Sequence, residues 1–213
     1  MKGVGVKPFL HVQVYAGNPR IMSLDAVMAQ APWTMETHIA LPAELGCPPL
    51  ARSAIVHLYV SSSSGQAETI DQWLDGHRMM FDYVLISNCD NLVNNHAIIE
   101  GLNFLEKNPA MHGIVFTFKP SKDNDDRYSY TKLKPDGEWE FREKDPFSED
   151  AIAGVYILKT YQLSKVIQPS DKYLAEALNR MRRLHVMRVQ TVRIWGTPEQ
   201  LAEVEAGKPQ SRS

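Results

Sequence analysis

The clearest chemical signal in the 213 residues is the run Ile86-Ser87-Asn88-Cys89-Asp90-Asn91-Leu92. Residues 83–87 read as a strand, and Asp90 stands just past its end. Open α/β sheets bind ligands outside the carboxyl ends of their strands. A carboxylate at that edge is a hard oxygen donor, suited to Mg²⁺ carrying nucleotide phosphates. The same aspartate could instead cap the helix that follows, and position alone does not separate the two. A second junction lies upstream, where Ser61-Ser62-Ser63-Ser64-Gly65-Gln66-Ala67-Glu68-Thr69 follows a strand and opens a helix. Free N–H groups among small residues there can receive a base or phosphate, or the segment is a plain connector. The histidines at 11, 38, 57, 77, 96, 112 and 185 show no metal-ligand spacing such as HxxxH. Cys89 has no paired histidine and reads as a buried apolar thiol.

These residues need elements to hold them, and the pattern supplies alternating strands and helices. Residues 8–14, 38–41, 54–60, 83–87 and 113–118 read as strands. Ile21, Leu24, Val27 and Met28 fall on one face of a short helix ended by Pro32, after a turn at residues 17–20. Ile70, Trp73 and Leu74 mark a second helix, and residues 94–107 a third, with Ile98, Leu102 and Leu105 on one side. The second half reads differently. Residues 127–133 and 138–142 flank Pro135-Asp136-Gly137, a hairpin turn signal. Residues 151–159 follow as a strand, 172–184 as a helix, 186–195 as a strand, and 198–205 as a helix with Thr197 as its N-cap. The order predicts one α/β domain with an antiparallel insertion.

Composition bounds the functions available. Lysine plus arginine number 23 against 25 acids, a formal net charge of −2, which excludes holding nucleic acid by bulk charge. Arg180, Arg182, Arg183, Arg188 and Arg193 read as a solvated helix face followed by a strand. Cys47 and Cys89 are too few for a disulfide framework or a structural zinc site. No apolar run reaches the roughly 18 residues of a membrane helix, and residues 1–6 do not form a signal sequence. A soluble cytoplasmic protein is expected, with a homo-oligomer compatible.

Further motifs follow in order. Arg127-Tyr128-Ser129-Tyr130 precedes Pro135-Asp136-Gly137 and Arg142-Glu143-Lys144; then come Ala153-Gly154-Val155-Tyr156 and Trp195-Gly196-Thr197-Pro198-Glu199. Near the start stands Lys7-Pro8-Phe9-Leu10-His11-Val12. With the two junctions above, this series over residues 7–202 resembles the sugar-phosphate nucleotidyltransferases of the glycosyltransferase-A fold. The resemblance implies a Rossmann-like, mixed and mostly parallel sheet with an antiparallel insertion. It also implies transfer of a nucleoside monophosphate from a nucleoside triphosphate to a sugar phosphate or similar small phosphate, for polysaccharide precursor synthesis. By resemblance, Asp90 holds Mg²⁺, and Lys7 approaches the phosphates. Gly65, Gln66 and Asn88 meet the nucleotide. Glu143, Lys144 and Gly154 meet the acceptor, with the lysine on its phosphate.

Two departures accompany the likeness. The family begins with a strand and a glycine-rich loop ending in arginine, and about two dozen residues of such a unit are not evident here. A single domain over 1–206, incomplete at its start, with a tail over 207–213, is the resulting expectation. Several relatives carry a second metal-binding aspartate two residues before the late glycine; Ile194 stands there, with Glu199 as possible help. The alternatives are a glycosyltransferase of the same fold using a nucleotide sugar, and a non-catalytic nucleotide-binding or assembly subunit.

Overall fold

The computed structural model describes residues 10–14, 36–42, 56–61, 65–77, 82–88, 90–195 and 198–207. Lys7, both cysteines, the turn at residues 17–20, the helix around Ile21 to Met28, Gly196, Thr197 and residues 208–213 lie outside them. The strands are β1 (Leu10–Val14), β2 (Glu36–Pro42), β3 (Val56–Ser61), β4 (Tyr83–Asn88), β5 (Asn91–Val93) and β6 (Gly113–Phe118). They continue with β7 (Tyr130–Leu133), β8 (Trp139–Arg142), β9 (Asp150–Lys159), β10 (Leu184–Arg188) and β11 (Val192–Ile194). The described helices, numbered in chain order, are α1 (Gln66–His77), α2 (Asn95–Lys107), α3 (Thr160–Val166), α4 (Leu174–Arg180) and α5 (Pro198–Glu205).

The main sheet runs β10-β6-β9-β4-β1-β2-β3. Its pairs are parallel except where β9 lies antiparallel between β4 and β6. The mixed, mostly parallel sheet expected from the sequence is therefore present. The hairpin of β7 and β8 joins it through β7 on β9, and β11 pairs antiparallel with β5 in a separate ribbon. Because six strands point one way, their carboxyl ends share one edge. Asn88 ends β4 there, opposite Val14 of β1. The centre of the sheet beside β4 is filled by β1, so β4 has a parallel neighbour on that side rather than an open edge.

Helices cover both faces, and this explains the unbroken apolar runs of the central strands. Val84, Ile86, Val115, Tyr156 and Leu158 face α1, α3 and α4, packing on Ile70, Trp73, Leu74, Leu163 and Leu178. Leu85, Ile114, Phe116, Val155 and Ile157 face the other way, toward Ile98 and Leu105 of α2. Side chains alternate across the pleat, so one strand feeds two cores. The open edge of β8 is met by a side chain. Asn179 of α4 accepts from the Phe141 N–H at 2.9 Å and donates to the Phe141 carbonyl at 2.8 Å, acting as a one-residue strand.

Three expectations shift in detail. The helix over 172–184 shortens to α4, because Met181 is already extended, Arg183 turns with φ of 54°, and Leu184 begins β10. The strand over 186–195 divides into β10 and β11, which belong to different sheets. The seven-residue α3 and the three-residue β5 add to the expected order; both are too short to show a period.

Candidate active site

Asp90 occupies the turn between β4 and β5. It is not the cap of the next helix. That work falls to Asn94, whose side chain accepts the His96 N–H at 2.9 Å, with β5 intervening. The Asp90 carbonyl accepts the Trp195 N–H at 3.0 Å, and Ile194 pairs in register with Asn91. The β5–β11 ribbon thus brings Ile194 and Trp195 to the turn that bears Asp90.

Asn88 lies at the carboxyl end of β4 and accepts a hydrogen bond from Gln66 Nε2 in the first turn of α1. The serine-glycine junction and the strand end, 22 residues apart, therefore meet through two amides. Gly65 is glycine for a packing reason. A Cβ there would lie 2.7 Å from the Lys172 carbonyl oxygen. Its own carbonyl is taken by the Thr69 N–H and hydroxyl, at 3.1 and 3.0 Å, which leaves only its N–H for a ligand.

Gly154 sits in β9 where the register against β6 slips between Val115 and Thr117. Its φ is +68°, and a Cβ there would stand 1.8 Å from Asn91 Nδ2 and 2.8 Å from Asn88 Nδ2. The bulge thus seats both amides against bare backbone. Asn91, almost fully buried, donates to the Ala153 carbonyl at 2.9 Å. Asn91 received no role from the sequence, although it lies inside the informative run. Its repeat of the Asn88 amide three residues on was the available signal.

Glu143 and Lys144 follow directly after β8. Glu143 is half-buried and accepts a hydrogen bond from the Ser129 hydroxyl. Burial, and then the Glu143 carboxylate, push the Tyr156 hydroxyl well above its usual range, so it stays a proton donor. Tyr156 is two residues beyond Gly154, which ties Glu143 to the same strand. Lys144 is exposed and has φ of 51°, a left-handed conformation unusual for a side chain of this size. The opposed-faces rule of a regular strand does not bind this pair, because both residues have left β8. Ser129 and Tyr156 are site neighbours that spacing alone did not single out.

Asp90 has amides on either side in sequence, and Ile194 is buried in the apolar cluster with Val93 and Val192. Among the described residues no group of three histidines, cysteines or acids could hold a metal ion. Mg²⁺ needs only one or two protein carboxylates when phosphates supply the other oxygens. The donors present therefore fit Mg²⁺ shared with a substrate, and do not form a closed protein cage. Glu199 is exposed in the first turn of α5. The arginines of the basic stretch are largely engaged within the molecule: Arg180 with Asp171, Arg182 with Glu138, and Arg188 with Asp150 and Glu149. No described helix is long and apolar enough to cross a membrane.

No protein-family model and no curated protein matches the sequence. Solved structures do match. CMP:2-keto-3-deoxy-manno-octonic acid synthetase complexed with CTP superposes with a TM-score of 0.64 at 12% identity, over 94% of this chain and 97% of that chain. A glucose-1-phosphate thymidylyltransferase from Bacillus anthracis gives 0.64 at 15% identity, over 92% and 94%. A 4-diphosphocytidyl-2C-methyl-D-erythritol synthase from Anaerococcus prevotii DSM 20548 gives 0.61 at 8% identity, over 94% and 96%. The alternating order of elements, the reversed β9 and the mostly parallel sheet are accordingly those of a known architecture: the chain has the fold of the sugar-phosphate nucleotidyltransferases.

Proposed function

We propose that this chain is a nucleotidyltransferase, joining a nucleoside monophosphate to a sugar phosphate or similar small phosphate and releasing pyrophosphate. The observation that carries the reading is the convergence of Gln66, Asn88, Asn91 and Gly154 around the turn that bears Asp90. In the reaction an acceptor phosphate oxygen attacks the α-phosphorus. One P–O bond forms, the α–β bridging P–O bond breaks, and pyrophosphate leaves with the electron pair. Such a displacement asks for positioning and charge neutralisation rather than a covalent intermediate.

In this reading Gln66, Asn88 and the Gly65 N–H receive the nucleotide, and Lys7 approaches its phosphates. Asp90 holds Mg²⁺, which when bound neutralises phosphate charge. Lys144, an exposed cation, takes the acceptor's phosphate, while Glu143 accepts hydrogen bonds from its hydroxyl groups. Gly154 lets the acceptor pass close to the backbone of β9. The product would serve polysaccharide precursor synthesis.

A specific observation favours a second reading, a nucleotide-binding subunit with little turnover. Ile194 fills an apolar cluster at the position where relatives place a second carboxylate. One experiment divides the two. The protein is incubated with each nucleoside triphosphate, Mg²⁺ and a panel of sugar phosphates while pyrophosphate is measured. Release that depends on both substrates establishes the transferase. Nucleotide binding without pyrophosphate, for every acceptor, overturns it in favour of the subunit.

A further inference from the structure

We propose that Asn88 sets the base preference of the nucleotide site by fixing which way round the Gln66 amide sits. The inference rests on the reading above that Gln66 meets the base. A free glutamine side chain presents a carbonyl oxygen and an NH₂ group that exchange places on a half-turn about its last bond. That freedom lets one residue serve two opposite base edges. Cytosine offers an amino donor beside a ring-nitrogen acceptor, and uracil offers a carbonyl acceptor beside an N–H donor. Adenine and guanine stand in the same relation at their six-position.

In this structure Gln66 is not free. Its Nε2 donates to Asn88 Oδ1. Asn88 turns its Oδ1 to Gln66 and its Nδ2 to the glycine bulge of β9, 2.8 Å from where a Gly154 Cβ would stand. The oxygen end is therefore the end turned toward α1. A reversed Gln66 amide would set its oxygen against the Asn88 oxygen and lose the bond. Gln66 is left with one order of donor and acceptor for a base, and a base with the opposite edge leaves buried polar groups unmatched. For the choice of base Asn88 acts through Gln66, beside the contact with the nucleotide proposed above, and the ratio of two nucleotides separates this positioning role from that contact.

The test compares the Mg²⁺-nucleotide dissociation constants of wild type, Asn88→Ala and Asn88→Asp by calorimetry, for CTP against UTP and for ATP against GTP. Wild type is expected to favour one member of a pair by about tenfold or more, the scale of one bidentate base contact. Asn88→Ala, which cannot hold the amide, should bring that ratio close to one. Asn88→Asp can only accept, so it should still hold the Gln66 N–H and keep the wild-type ratio. Its added negative charge will weaken both nucleotides of a pair alike and leave the ratio unaffected. A ratio that survives in Asn88→Ala, or that falls equally in Asn88→Asp, overturns the inference while leaving nucleotide binding intact. A wild type that binds without distinguishing either pair overturns it as well. Absence of any nucleotide binding by wild type would instead bring down the nucleotide site itself, and the inference with it.

Discussion

A single carboxylate on a turn is a small device, and what surrounds Asp90 decides its use. Ile194, buried in an apolar cluster, pairs with the neighbouring Asn91, so in the proposed reading phosphate oxygens would supply the remaining ligands of the ion. Asp90→Asn removes the formal charge proposed for this task. We expect that variant to fold normally and to lose at least about tenfold in Mg²⁺-dependent nucleotide affinity, the order of a 1.4 kcal/mol change. Unchanged affinity in titrations with and without Mg²⁺ would remove Asp90 from the site. Lys144 calls for a different measurement. Its left-handed backbone costs about 1 kcal/mol or more, a strain that tends to collect at functional positions. Lys144→Ala should raise the KM for a phosphorylated acceptor well above its effect on the KM for the triphosphate. Equal losses on both would mean that the lysine is not the acceptor's cation.

At the scale of elements, the bulge in β9 is what makes the site possible. Gly154 lets the strand slip by two residues and bring bare backbone to Asn88 and Asn91. Gly154→Ala would force a methyl group to within 1.8 Å of Asn91 Nδ2 at a φ of +68°. The Asn91 bond to the Ala153 carbonyl would have to break. A loss of about 2–3 kcal/mol in urea unfolding is expected, the sum of the backbone strain and a buried hydrogen bond. A variant as stable as wild type would show that the bulge relaxes freely. This element also shows what a sequence can and cannot disclose. The strands around residues 83–87, 113–118 and 151–159 were legible because both faces are buried, leaving uninterrupted apolar runs. The hairpin was legible from Pro135-Asp136-Gly137, and Asp90 from its place past a strand. Asn91, Ser129 and β5 were not legible in the same way. Their roles come from partners 62, 14 and about 100 residues away in the chain, and no local period encodes such pairings. The division of residues 186–195 into two strands has the same origin, since only β5 makes β11 a separate ribbon.

At the scale of the whole molecule, an ion network beside β7 joins segments that no strand ladder links. Asp125, buried, accepts from the Arg127 guanidinium at 2.7 and 2.5 Å and from the Arg127 backbone N–H at 3.2 Å, and Tyr130 donates to the Asp125 carbonyl at 2.7 Å. Arg127 and Lys122 also reach Glu203 on α5, at 3.5 and 3.0 Å. The loop after β6 is thereby tied to the last described helix, whose chain runs back to Trp195 and the Asp90 turn. Burial is the largest single influence and raises the Asp125 carboxyl, but the hydrogen bonds from the Arg127 side chain and backbone N–H and the charges of Arg127 and Lys122 together outweigh it and hold the group below its ordinary value of 3.8. A carboxylate depressed in the folded state adds stability above its unfolded value, and that stability fades as pH falls through the lower folded value. Asp125→Asn should therefore cost about 1.5–3 kcal/mol at pH 7, the range for hydrogen bonds to charged groups. The gap between variant and wild type should close as both are taken below the folded value, where the wild-type carboxyl is itself neutral. Urea unfolding from pH 7 down to about pH 2 reads this directly, since acid lowers stability wherever the unfolded chain binds more protons than the folded one. A gap that stays constant across the range would mean that packing around Asp125, and not its charge, holds α5 in place.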